Sequence, residues 1–323
     1  MTTVDFHSHI LHGGVFDVAA DHTVMAGYGA RSARPLPGDF RERQYQSALS
    51  AGEYLGNMDA RGIDLSVLSS SSVVQGTAWA DLETDRWAHQ TVNDHIAQWR
   101  DAHPARFVAS FSLPLQDKAA SLAELDRAVT DLDSRVANVP ANVNGTYLGD
   151  PPLDWFWQAV RERGVAVFIH PDGVVDPWFQ RYGMWNSVGQ PIEEARVMSS
   201  LIYNGILERM PEVPIVISHG GGYLPHYMGR HDRNVRNMPD SGANIKRLPS
   251  EYLRNVYYDT CVYDPSVLQA LTKIVGPDRL VLGSDYPFGD TDPIGFIRTC
   301  DFLTLEEMAA ILGGTAERIL GRS

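Results

Sequence analysis

The chain is 323 residues long, 44% hydrophobic and 21% charged, a globular composition with ample apolar material for a sizeable core. Forty acidic against 27 basic side chains give a formal charge of -13, a field that repels phosphate backbones and anionic lipid and argues against nucleic acid or a membrane surface as a partner. Two cysteines, Cys261 and Cys300, are too few for a disulfide framework or a thiolate metal site and point to a reducing, cytoplasmic setting.

The opening MTTVDFHSHI has neither the basic nor the apolar region of a signal peptide, so none is expected. Thr3–Phe6 is the first predicted strand, and it runs directly into His7-Ser8-His9. His12–Arg43, rich in glycine and proline, reads as a long insertion. A helix is expected over Ala48–Arg61, a strand over Leu65–Ser69, a helix over Asp81–Ala102 and a strand over Phe107–Ser112. The alternation continues with a helix at Lys118–Leu132, a strand at Arg135–Pro140, a helix at Pro152–Arg163 and a strand at Val165–Ile169 that ends on His170. Pro171–Gln190 is a second long loop and carries Trp178, Tyr182 and Trp185. Ile192–Met210 reads as a helix, Pro214–Ser218 as a strand ending on His219, and Asn255–Asp259 as a strand. Asp264–Val275 reads as a helix before the last strand, Arg279–Gly283, which leads to Asp285. A Thr304-x-x-Glu307 capping box opens a final helix expected to stop near Gly313-Gly314.

Eight strands alternating with helices imply parallel pairing and a closed (β/α)8 TIM barrel, one domain over residues 1–323 with insertion loops at its C-terminal mouth. A doubly wound sheet would place a glycine-rich phosphate turn after the first strand, where this chain has His-Ser-His instead.

His7 and His9, two apart on a strand, point to one face and can reach one ion. His170, His219 and Asp285 follow the fifth, sixth and eighth predicted strands, whose ends converge on the same mouth in a barrel. Three of these imidazoles and the one carboxylate suit Zn²⁺ or a similar borderline divalent ion. The chain has three lysines, Lys118, Lys246 and Lys273, and none falls at the end of the fourth strand, where a bridging carbamylated lysine would hold a second metal. One metal is therefore expected. His12, His226 and His231 read as loop or helix-face residues and not as ligands, with His226 close enough in sequence to His219 to line the pocket.

The segments VDFHSHI, FIHP, SHGGG and LGSDYPF resemble the decarboxylase branch of the amidohydrolase superfamily, in particular the α-amino-β-carboxymuconate-ε-semialdehyde decarboxylase group. The resemblance extends through MDARGIDLSVLS, LPLQD, LIYNGILERMPEVPIVISHGGG and the terminal GGTAERILG. It implies that His7, His9, His170 and Asp285 hold one divalent metal, zinc on the donor set or manganese as in some relatives. It further implies that His219 is the catalytic histidine, assisted by Asp285. Arg230 would reach into the pocket of a second copy of the chain, in a homodimer or higher homo-oligomer, and Arg41 (with Arg43 as the alternative) would be a second carboxylate anchor. Trp185, Trp178 and Phe288 are candidates to stack on a planar substrate. The expected reaction is the nonoxidative decarboxylation of a small anionic aromatic or muconate-like acid. A hydrolase splitting a carbon–carbon, lactone or amide bond with the same metal is the alternative, and a metal-bound barrel without catalysis is disfavoured because His219 is not needed as a fourth ligand. Two features depart from the family: Pro171-Asp172-Gly173 lacks the tryptophan found after the proline in the decarboxylases, and the insertion His12–Pro37 has no counterpart there.

Overall fold

A computed structural model describes residues 2–20, 40–172 and 177–322. Among them are eight short parallel strands: β1 (Val4–Ile10), β2 (Leu65–Ser70), β3 (Phe107–Ala109), β4 (Val136–Val139), β5 (Ala166–Ile169), β6 (Ile215–Ile217), β7 (Tyr257–Asp259) and β8 (Leu280–Val281). They pair as β1-β2-β3 and as β8-β7-β6-β5-β4. Backbone hydrogen bonds link the two sheets at both edges. Between β3 and β4, Phe111 N donates to Val136 O at 2.9 Å and Asn138 N to Phe111 O at 2.7 Å. Between β8 and β1, Phe6 N donates to Leu282 O at 2.8 Å and His9 N to Tyr286 O at 2.7 Å.

The packing inside agrees with a barrel. Val4, Phe6, Leu65, Val67, Val136, Phe168, Val216 and Val281 form one buried cluster, with Val108 and Tyr257 against it, so all eight strands contribute to a single interior. Ala316, Ile319 and Leu320 of the last helix join this cluster beside the strand beginnings. That end is plugged by apolar side chains, and polar groups collect at the other. A second, larger cluster fills the space between strands and helices. Leu82–Ala102 shows how the outer layer forms: Asp81 caps Thr84 N, and Ala88, Val92, Ile96 and Trp99 turn one face inward.

One irregularity sets up the site. The β1–β2 register shifts between Asp5 and Ser8. Val4 and Phe6 sit in the inner cluster, whereas Ser8 faces Ser66 at 2.8 Å on the side that Tyr54 also reaches. With strict alternation, Phe6 inside would put His7 outside. The bulge shifts the parity by one residue, so that Phe6, His7 and His9 all face the barrel axis.

Several element boundaries differ from those expected. The helix read over Ala48–Arg61 is two helices, Phe40–Leu49 and Ala51–Arg61, parted at Ser50, whose hydroxyl caps Glu53 N. The helix read over Ile192–Met210 runs over Gln190–Tyr203 and resumes at Ile206–Arg209 after Gly205 at φ +74°. The capping box at Thr304 and Glu307 forms, but the chain does not stop at Gly313-Gly314; it turns helically on to Ile319. Gly313 is small for a different reason: a Cβ there would collide with the Thr2 carbonyl. Pro171–Gln190 contains helical turns at Pro177–Gly183 and Trp185–Gly189, with 173–176 outside the described residues. The insertion His12–Arg43 opens with a helix, Gly13–Ala20, and 21–39 lie outside the described residues. No described helix is long and apolar enough to cross a membrane.

Candidate active site

His7 and His9 project from β1, and His170 follows β5, all three almost fully buried. Their rings pack edge to face, with centroids 5.0 Å apart for His7–His9, 5.0 Å for His7–His170 and 4.7 Å for His9–His170. Asp285, past β8, presents Oδ1 to His7 Nε2 at 3.3 Å and to His9 Nε2 at 3.2 Å. His219, past β6, has its ring 5.2 Å from those of both His7 and His170. Ligand-capable atoms of His7, His170, His219 and Asp285 all lie within 4.8 Å of one another, and His9 Nε2 lies 3.0 Å from His7 Nε2. All five residues singled out from the sequence as metal or catalytic groups therefore meet at one point.

The hydrogen bonds behind the rings fit a bound cation. His9 Nδ1 donates to the Ser70 carbonyl at 2.9 Å, and His7 Nδ1 to the Asp259 carboxylate at 2.5 Å. In the neutral rings both Nε2 lone pairs then point inward, 3.0 Å apart. Two facing lone pairs repel unless a proton or a metal ion lies between them. The charges agree. Burial disfavours a charge on His7, yet Asp285 and Asp259 outweigh it and lift its pKa to about 9. Burial and the neighbouring imidazoles hold His170 well below the usual value. Asp285 is buried as well, and His7, His219 and His9 still keep it well below the usual carboxylate range. Cys261 Sγ lies 3.7 Å from His7 Nδ1, making a second cluster with Asp259. It shares the His7 nitrogen already committed to Asp259, so it supports the first cluster and is not a separate site.

His219 is held differently. Its Nδ1 meets the fully buried Glu194 carboxylate at 2.5 Å, Ser218 donates to the same oxygen at 2.8 Å, and its Nε2 faces Asp285 Oδ2 at 3.8 Å. Burial opposes a charge here too, but the two carboxylates hold the pKa of His219 well above normal. The backbone is unusual: His219, Gly220, Gly221 and Gly222 all have positive φ. A Cβ on Gly220 would strike Val262 and one on Gly222 the Pro191 carbonyl, so the three-glycine run answers both to conformation and to space. Asp285 also has positive φ, +53°, and strained backbone of this kind concentrates at functional positions.

The cluster opens into a cavity of about 880 Å³ whose wall includes His219, Asp285, Phe288, Tyr223, Tyr263 and His226. Phe288 lies 6.2 Å from the His9 ring. Trp185 is partly buried beside this wall, where its neighbours Asn186 and Ser187 are lining residues and it is not; Trp178 packs on Phe179, also away from the lining. Arg230 is exposed on the helix Leu224–Asn237 and does not line the cavity of its own chain. Arg41 starts the helix Phe40–Leu49, and its side chain, like that of Arg43, lies outside the described residues. His12 packs on His95 and His231 bonds to Tyr203, away from the cluster as expected. Asp172 packs against Gly76 in a separate, smaller cavity of about 180 Å³.

Two residues of the site were missed in the sequence. Asp259 is the last residue of β7, and a polar residue at the end of a strand is the same kind of signal as His170, His219 and Asp285 beyond theirs. Glu194 stands in a helix with no local signal, and packing alone brings it to His219.

Residues 4–322 match the family model described as Amidohydrolase. A 2-amino-3-carboxymuconate-6-semialdehyde decarboxylase of Dictyostelium discoideum is 30% identical over 98% of this chain and 91% of its own. The crystal structure of 5-carboxyvanillate decarboxylase from Sphingomonas paucimobilis covers 100% of this chain and 99% of its own at 26% identity, with a TM-score of 0.88. That of Novosphingobium aromaticivorans, with bound manganese, covers 99% of this chain and 97% of its own at 22% identity and a TM-score of 0.87, a likeness of fold. A histidine and carboxylate cluster at the strand ends of a parallel α/β barrel, matched over nearly the whole length, places this chain in the amidohydrolase family.

Proposed function

We propose that the protein is a metal-dependent, nonoxidative decarboxylase of a small aromatic or similarly conjugated carboxylic acid. The observation that carries the reading is one buried histidine and carboxylate cluster at the wall of a large cavity. His7, His9, His170 and Asp285 form a set of nitrogen and oxygen donors fit for a single divalent cation, while His219 is tied from behind by Glu194 and faces the cavity. The imidazole-rich set suits zinc, and the manganese in the Novosphingobium relative makes that ion the alternative. When bound, the ion supplies Lewis acidity and a fixed template for the carboxylate and a neighbouring oxygen.

The chain's own groups account for the rest. Glu194 anchors Nδ1 of His219 and leaves Nε2, on the cavity side, to hold a proton. His219 delivers that proton to the ring carbon that bears the carboxylate. A C–H bond forms, the C–C bond to the carboxylate breaks, and its electron pair restores the conjugated system as CO₂ leaves. Phe288, Tyr223 and Tyr263 offer flat apolar faces to a planar acid and displace water from it. Neither arginine nor lysine is among the described residues lining the cavity, which favours anchoring of the anion from outside this set. Arg41 is one candidate. The other is Arg230 of a second copy, in a homodimer, acting from a protein we place in the cytoplasm with residues 1–323 as one catalytic domain.

The test is product analysis with metal-reconstituted protein and a panel of aromatic and conjugated acids in ¹⁸O-water, read beside metal content. Expected are CO₂ and a product with solvent hydrogen at the vacated carbon. Both His170→Ala and His219→Ala should be inactive, but only His170→Ala should have lost its metal. An ¹⁸O-labelled cleavage product without CO₂ would overturn the decarboxylase reading in favour of a hydrolase.

A further inference from the structure

We infer that His226 determines substrate specificity by hydrogen-bonding an oxygen substituent, a hydroxyl or a second carboxylate, that the planar acid carries away from the carboxylate it loses. This rests on the decarboxylase reading above and deepens it.

Gly222 packs so tightly on the Pro191 carbonyl that no Cβ fits, which docks the turn after His219 onto the start of the helix Gln190–Tyr203. The chain then enters the helix Leu224–Asn237, and its first turn puts Tyr223 and His226 into the same cavity wall as Gln190 and Pro191.

Several other polar groups on that wall are already engaged. Asn186 Nδ2 donates to Gln190 Oε1 at 2.9 Å, and Gln190 Nε2 reaches the Pro171 carbonyl at 3.4 Å. Asp285 belongs to the metal cluster. Asp290 accepts from Asp292 N at 3.0 Å and, as an anion, repels acidic substrate groups. His219 is bound to Glu194.

His226 differs from these. It lines the cavity, it is exposed, and no hydrogen bond or ion pair joins it to another described residue. Burial on its inner side lowers its pKa, so at neutral pH the ring is uncharged and offers one N–H and one lone pair. It can donate to a carboxylate, or donate to or accept from a hydroxyl. Tyr223, Tyr263 and Phe288 supply flat surfaces on the same wall. A planar acid packed on them with its reacting carboxylate at the metal cluster presents its remaining edge to the imidazole.

The experiment compares an unsubstituted aromatic acid with its hydroxylated and dicarboxylated analogues on the metal-loaded full chain. Wild type, His226→Phe and His226→Gln are measured, with Kd by calorimetry and turnover by CO₂ release. In His226→Phe, the KM and Kd of an oxygen-substituted acid should rise about tenfold more than those of the parent, with kcat changing much less. His226→Gln, which keeps a donor and an acceptor, should recover most of the difference. The hydroxylated and dicarboxylated arms tell which substituent is recognised. Equal weakening of parent and analogues, or no weakening of either, overturns the inference. Should no acid be decarboxylated, the function proposed above fails, and the Kd series alone still decides whether His226 contacts a planar acid. Absence of binding by every acid overturns both.

Discussion

Replacing Glu194 by glutamine separates the histidine's chemistry from metal binding. Glu194 is fully buried, its Oε1 lies 2.5 Å from His219 Nδ1, and Ser218 is the other group on that oxygen. A unit charge at about 3 Å from an imidazolium is worth roughly 5 kcal/mol at an effective dielectric of about 20. Burial of the pair offsets part of that. A glutamine of the same shape removes the charge and can turn its amide N–H toward Nδ1, which favours the neutral ring over the imidazolium and leaves Asp285 as the remaining carboxylate beside it. A net loss of about 3–4 kcal/mol in the proton-transfer step corresponds to a fall of roughly 10²–10³ in kcat. Metal content should stay at the wild-type level, because none of the four proposed ligands touches Glu194. The assay is CO₂ release on the acid that the wild type turns over best, with elemental analysis and thermal unfolding on the same preparations. A kcat within about fivefold of wild type, or loss of turnover that merely tracks loss of metal, would refute the assignment of His219 as a proton donor held by Glu194.

Two further outcomes follow from the same geometry. Asp259→Asn keeps the oxygen that accepts from Gly220 N and Cys261 N but loses the charged acceptor of His7 Nδ1; metal affinity measured against a chelator should fall about 10–100-fold, and unchanged affinity would remove Asp259 from the support of the site. For Arg230, the tested arrangement is a mixture of His219→Ala and Arg230→Ala subunits, each inactive alone. If the arginine serves the neighbouring pocket, hybrids contain one intact site and regain activity, whereas demonstrated heterodimers without activity would leave Arg230 as a surface residue.

The positions of His170, His219 and Asp285 were legible in the sequence because a parallel barrel turns a local feature, a polar residue directly after an apolar strand, into proximity. Each such residue is separated by dozens of others along the chain, yet all the strands end at one mouth. His7-Ser8-His9 was legible for the same reason. Asp259, the last residue of β7, carries a similar signal. The element boundaries were less secure where a glycine has two uses: Gly313 looks like a helix stop and is in fact a point of close contact with Thr2.

What tertiary structure alone decided involves groups brought together from elements that share no local pattern. Glu194 comes to His219 from the flank of a helix, because Gly222 lets the loop and helix meet without a Cβ between them. The inward turn of both His7 and Phe6 depends on the register shift in β1, and hydrophobic alternation read along the strand would have sent one of them outward. The sequence determined which residue types stand at the strand ends and hence the chemistry available, since strand propensity and side-chain type are local properties. Packing determined which of those groups is enclosed and which faces the cavity, and which partner stands behind each imidazole, a carbonyl for His9 and carboxylates for His7 and His219.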